Sequence, residues 1–176
     1  MRACVLLDVL VQDGLTMVGS HDAARRFLHE FHRLSRGRGL IIAGTSNIRL
    51  EGGELRVSLQ HPERDDESVL VRCRPHEIVV DTAYSRLYFR ETRKPEWPIG
   101  GNSPAHAAAL FLLDLLLGRI SIRVVRRRLG WQISTERDDC VIDRDFAVVP
   151  TVSRLPPPRT ITPNFPHHED GLEFGC

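Results

Sequence analysis

Near the N-terminus the apolar positions run almost unbroken, and "ACVLLDVLVQDG" predicts a buried strand that ends in a turn at Asp13-Gly14. Beyond it the spacing lengthens. Ala24, Phe27, Leu28, Phe31 and Leu34 fall at i, i+3, i+4, i+7 and i+10, one stripe of an amphipathic helix. Ser20 suits its N-cap, Asp22 the positive end of its dipole and Gly37 its stop. From Leu40 the period shortens to two, and "LIIAG", "SNIRLEG", "ELRVSLQ", "SVLVRCR", "HEIVVDT" and "SRLYFRE" read as short strands. In "LRVSL", Leu55, Val57 and Leu59 alternate with Arg56 and Ser58, so this sheet has one dry and one wet face. Glu51-Gly52-Gly53-Glu54 is a tight hairpin turn, and the polar "HPERDDES" is a loop.

A second helix follows in "SPAHAAALFLLDLLLG", framed by Ser103 as N-cap, Pro104 in the first turn and Gly118 after the last. Inside that frame His106 and Asp114 are the only polar side chains, so the helix is buried on most sides. Ser121 then caps a third helix over "SIRVVRRRLG", ended by Gly130. Trp131 opens the strand "WQIST", and "CVIDRDFAVV" pairs with it across "ERDD". Pro156, Pro157, Pro158, Pro163 and Pro166 make an extended, polyproline-like tail that stays out of the core. These elements specify an α+β fold. Residues 1–150 form one domain, an antiparallel β-sheet of about five to seven strands covered by two or three helices, and residues 151–176 form a flexible Pro-rich C-terminal tail.

Composition narrows the function classes. A chain of 176 residues with 41% hydrophobic and 27% charged content has the make-up of a globular domain with one core, not of a disordered or membrane-spanning chain. The longest apolar run, "AAALFLLDLLLG", is too short to cross a bilayer and carries Asp114, and Asp8 interrupts the only stretch with secretory character. A net charge of +1 gives no global attraction to nucleic acid or anionic lipid, so either partner would need a local patch. Lys94 is the only lysine, and arginine supplies the planar fork that holds phosphate or carboxylate at two points. Cys4, Cys73, Cys140 and Cys176 form no C-x-x-C pair, which predicts free thiols in a reducing cytoplasm. The chain has no P-loop, G-x-G-x-x-G, H-E-x-x-H or G-x-S-x-G, so no cofactor and no metal is expected.

Two stretches carry recognition chemistry. Arg123, Arg126 and Arg127 lie on the third predicted helix, with Ile122, Val125 and Leu129 toward the core. The loop "ETRKPEWPIGGNSP" holds three prolines and two adjacent glycines, and Arg93, Trp97 and Asn102 are its binding candidates. "SIRVVRRRLGW" resembles the T-x-x-x-V-A-x-x-L-G-V run of bacterial repressor helix-turn-helices. Arg126 stands where that motif holds a small packed residue, and the acidic "QISTERDDCVID" follows where phosphate would lie. Gly100-Gly101-Asn102-Ser103-Pro104 can cradle an anion on free amides. His29 and His32 have metal-capable i, i+3 spacing without a third ligand nearby, and "HHED" at 167–170 is a second weak chelating run. Asp114, set among leucines, calls for an arginine from the sheet or the third helix, a place at the rim, or a raised pKa.

The order strand, helix, several antiparallel strands, then Gly100-Gly101-Asn102 opening a helix resembles the N-terminal half of ribosome-inactivating protein A chains, and "SVLVRCRPHEIVVDTAYSRLYFR" is similar in rhythm to their central strands. The resemblance implies an N-glycosidase acting on nucleic acid. This chain departs from it at Ser103, where those enzymes carry a tyrosine, and in having no late Glu-Ala-Ala-Arg run. The expected function is therefore a non-enzymatic, cytoplasmic interaction protein that binds a protein or nucleic-acid partner, and no membrane, through the arginine-rich helix and the 91–103 loop. A nucleic-acid-directed enzyme and a helix-turn-helix regulator are the alternatives.

Overall fold

The first apolar run changes character within three residues. In the computed structural model, which describes residues 4–18, 22–64, 67–90, 103–127, 130–138, 140–147 and 159–167, β1 (Cys4–Leu6) passes directly into a helix, α1 (Leu7–Met17). Leu7, Val11, Gly14 and Val18 are buried along one side, the i, i+4, i+7, i+11 spacing of a helical face. The single strand expected up to Gly14 is thus corrected. Gly14 makes no turn: a Cβ there would lie 2.6 Å from Ile48 Cδ1, so glycine admits the neighbouring strand.

The stripe that starts at Asp22 folds as predicted into α2 (Asp22–Ser35), burying Ala24, Phe27, Leu28 and Phe31. Gly37, at φ 77°, takes the left-handed conformation beyond its end. β2 (Ile41–Ala43) returns to pair antiparallel with β1. β3 (Asn47–Glu51), β4 (Glu54–Leu59), β5 (Val69–Arg74), β6 (Glu77–Asp81) and β7 (Arg86–Arg90) then form a five-stranded meander, each strand bonded to the next. Glu51 pairs with Glu54 across the expected turn, where Gly52 and Gly53 both have positive φ. Alternation buries Leu55, Val57, Val71, Val80 and Phe89 on one face. Over that face lie α2 and α3 (Pro104–Leu116), packed on each other, α2 against β5 and α3 against β6 and β7. Ser103 Oγ accepts a hydrogen bond from the His106 N–H at 3.2 Å, the N-cap read from the sequence.

After α3 the chain is strand, not helix. β8 (Ile120–Arg127) replaces the helix expected from Ser121 to Gly130, and β9 (Gly130–Arg137) and β10 (Cys140–Ala147) follow it. Ile120, Ile122 and Val124 are buried while Ser121 and Arg123 are not, which is period two. With a strand there, the helix-turn-helix reading loses its first helix. The β9–β10 hairpin forms as expected, Cys140 opposite Arg137.

The C-terminal prediction is corrected in part. β11 (Arg159–Ile161) adds to the free edge of β8, giving the order β10-β9-β8-β11, and Phe165 is fully buried in the core. Proline removes backbone donors, yet the apolar side chains between the prolines still dock. Residues 148–158 and 168–176 lie outside the described residues. Among the described residues the fold is α+β, with three helices and antiparallel sheets of two, five and four strands. No described helix is long and apolar enough to cross a membrane.

Candidate functional site

The six binding candidates do not come together in the described structure. Arg93, Trp97 and Asn102 lie outside the described residues. Arg123 projects from β8 with its side chain 56% exposed, 3.9 Å from Glu136. Arg126 and Arg127 sit at the far end of β8, in register with Trp131 and Gly130. The arginine-rich helix is thus an arginine-bearing strand.

Asp114 is a structural ion pair. Its side chain is 6% exposed, with Arg119 Nη1 at 3.2 Å from Oδ1 and Arg137 Nη2 at 3.2 Å from Oδ2, so a sheet arginine does supply the partner. His106 Nδ1 lies 2.7 Å from Glu30 Oε2, which also takes Arg33 at 2.8 Å and ties α3 to α2. The Arg33 hydrogen bond, then that from His106, holds the Glu30 carboxyl below the usual range. Burial pushes the Cys73 thiol up, which makes it inert. His29 is exposed, His167 Nδ1 meets the Phe165 carbonyl at 3.0 Å, and no three metal-ligating side chains gather among the described residues.

The wet face of the meander brings together residues that sequence reasoning passed over. Strand register sets Arg49 opposite Arg56, Arg56 opposite Arg72, Arg72 opposite Val79 and Val79 opposite Tyr88, one row across all five strands in which Val79 is fully covered. Tyr88 is 44% exposed and carries the Arg90 guanidinium 4.9 Å above its ring. Arg49 has no ion-pair partner among the described residues, whereas a chain of pairs runs beside the row: Glu51–Arg56 at 3.2 Å, Arg56–Glu54 at 2.8 Å, then Glu54–Arg74, Arg74–Glu77 at 2.9 Å and Glu77–Arg90 at 2.8 Å. On the other side Arg72 and Arg86 share Asp81. Hydrogen bonds, first from Arg74 to Glu54 and from Arg90 to Glu77, hold both glutamates below the usual carboxylate range. The signal was present in "LRVSL", "VRCR" and "RLYFR", where alternate positions put Arg56, Arg72, Arg74, Arg86, Tyr88 and Arg90 on the wet face.

A cleft of about 250 Å³ opens where the first turns of α2 and α3 meet the β5–β6 turn, lined by Asp22, Arg26, Arg74, His76, Glu77 and Ser103 over Ile78 and Phe89. No protein-family model, curated protein or solved structure matches this chain, so the likeness to ribosome-inactivating chains stands on the quoted sequence rhythm alone.

Proposed function

We propose that this chain is a non-enzymatic binding protein whose wet meander face holds an acidic stretch of a partner protein. The row Arg49–Arg56–Arg72 carries the reading. Within the fold Arg56 is met by Glu51 and Glu54 and Arg72 by Asp81, whereas Arg49, directly opposite Arg56, has no carboxylate among the described residues, so a partner's carboxylate there relieves a like-charge contact. Arginine and tyrosine are also the residues that dominate interface energetics. The flanking ion pairs hold several guanidiniums in place beforehand, which lowers the entropy lost on contact. A protein suits the face better than nucleic acid, because Glu51, Glu54, Glu77 and Asp81 flank the row and repel a continuous phosphate backbone. Polar groups of the kind enzymes use have structural partners: Ser103 Oγ caps α3, His106 meets Glu30, and Asp114 sits between two arginines.

The test is recovery of a partner with the full chain from its native source, followed by affinity measurement with that partner. Arg49→Glu with Arg56→Glu is expected to weaken binding at least about tenfold, or 1.4 kcal/mol. Arg25→Glu on the exposed face of α2 should leave it unchanged. Equal binding by the double variant, or a partner released by nuclease, sinks the reading.

A further inference from the structure

Residues 159–167 are stitched to the fold at several separate places. β11 pairs with β8 over Ile122–Val124, Asn164 bridges to Leu117, the Phe165 N–H donates to the Leu116 carbonyl at 2.8 Å, and the Ile41 N–H donates to the Pro166 carbonyl at 2.7 Å. The fit is close at α3's end, where a Cβ on Gly118 would lie 3.1 Å from Asn164 Cβ. Where this segment crosses the turn after β4 stands His61, 1% exposed, with the Phe165 ring edge-on at 4.9 Å.

The His61 ring is wired so that only its neutral form fits. Nδ1 lies 3.1 Å from the Glu63 nitrogen and 3.0 Å from the Arg64 nitrogen, both of them backbone N–H donors. Nδ1 must therefore be the bare acceptor, which leaves the ring hydrogen on Nε2, donated to the Asn164 carbonyl at 3.0 Å. The charged groups facing the ring are Glu67, whose Oε2 is 3.9 Å from Nε2, and Arg64, whose Nη2 is 3.4 Å from it. Glu67 is already engaged, by Arg64 at 2.6 Å and by the Asn164 N–H at 3.3 Å. The strap also carries His167, whose Nδ1 meets the Phe165 carbonyl at 3.0 Å. A second proton on His61 would point an N–H at two N–H groups, and the 61–64 turn must then open and carry the ring away from Asn164.

We propose that residues 159–167 form a strap that acid releases, with His61 as its latch, and that its release uncovers the β8 edge from Ile122 to Val124. An exposed strand edge is a ready template for another extended chain, so the strap occupies a place that a partner strand would take.

Hydrogen exchange on the full chain, corrected for intrinsic rates, tests this at about pH 7.5 and about pH 5.5. Protection of 159–167 and of Ile41 should fall at least about tenfold at the lower pH while the β5 amides keep theirs. In His61→Asn the side-chain oxygen can accept the same two N–H groups and cannot be protonated, so its strap should exchange alike at both values. Should that variant not fold, the native chain suffices: the pH at which the strap opens must coincide with the pH at which the His61 ring resonances titrate. Exchange that ignores pH, that rises equally in β5, that persists in His61→Asn, or whose midpoint departs from the ring's overturns the proposal.

Discussion

The five-stranded and four-stranded sheets are both antiparallel, yet they are held in different ways. In the meander every strand turns one face onto the core, and Leu55, Val57, Val71, Val80 and Phe89 are essentially inaccessible. In the other sheet burial fades outward from α3. On the core-facing side Ile120, Ile122 and Val124 of β8 and Thr135 of β9 are buried, whereas Ile133 of β9 and Asp143 of β10 are only half-buried. The pairing shifts register between Val141 and Asp143, an irregularity that twists an edge away from chance partners. The reach of the helix pair, more than the number of strand bonds, decides which sheet is dry.

The sharpest way to break this comparison is to remove one large side chain from each sheet. Phe89 packs against Phe111 at 5.7 Å in the fully buried core, so Phe89→Ala should cost about 3–5 kcal/mol. Ile133→Ala removes a half-buried group and should cost about 1 kcal/mol. Urea titrations of both variants give the two numbers, and equal costs would mean that β9 is covered as thoroughly as β7.

Asp114 joins the two regions, since it stands on α3 and is held by Arg137 of β9 as well as by Arg119. Arg119→Met with Arg137→Met leaves a buried carboxylate unpaired and should cost about 3 kcal/mol. Asp114→Asn leaves two cations that water can reach and should cost only about 1–2 kcal/mol. The inequality is the content of the prediction. If the aspartate substitution proved the worse, the carboxylate would be doing more than neutralising its own burial.

The same contrast explains what the sequence disclosed. The meander was legible because strict alternation, the Gly52-Gly53 turn and one wet face all pointed the same way. α2 and α3 were legible from a single stripe and from the cap at Ser103. β8 was not, because Ile122, Val125 and Leu129 also satisfy a helical spacing and Ser121 and Gly130 mimic helix ends, while the burial of Ile120, Ile122 and Val124 follows from the position of α3, a tertiary fact. α1 was hidden by the reverse error: Gly14 looked like a turn and is a packing glycine against Ile48. At the candidate site, Asp114's arginine partner was foreseen in kind. The arginine row was not, because its members are set side by side only by strand register, which no local spacing reveals.

The smallest expected effect separates the sheets by their surfaces. The meander's wet face carries close ion pairs at Glu54 and Glu77, whereas in the four-stranded sheet Arg123 stands 3.9 Å from Glu136 and Arg137 3.7 Å from Asp138. Glu54 and Glu77 titrate below their ordinary range in the folded chain, because arginine hydrogen bonds favour the carboxylate. Their contribution is therefore fully present above the unfolded glutamate pKa and disappears as pH falls through the lowered folded value. The arginine partners are 43–49% exposed, which keeps it small, so Glu54→Gln should cost no more than about 0.5–1 kcal/mol at neutral pH. Between about pH 5 and about pH 3 the stability curve of Glu54→Gln with Glu77→Gln should run flatter than that of the native chain. Parallel curves for the native chain and the double variant would show that the meander's ion pairs form equally in the unfolded chain, and that the two sheets differ in their cores alone.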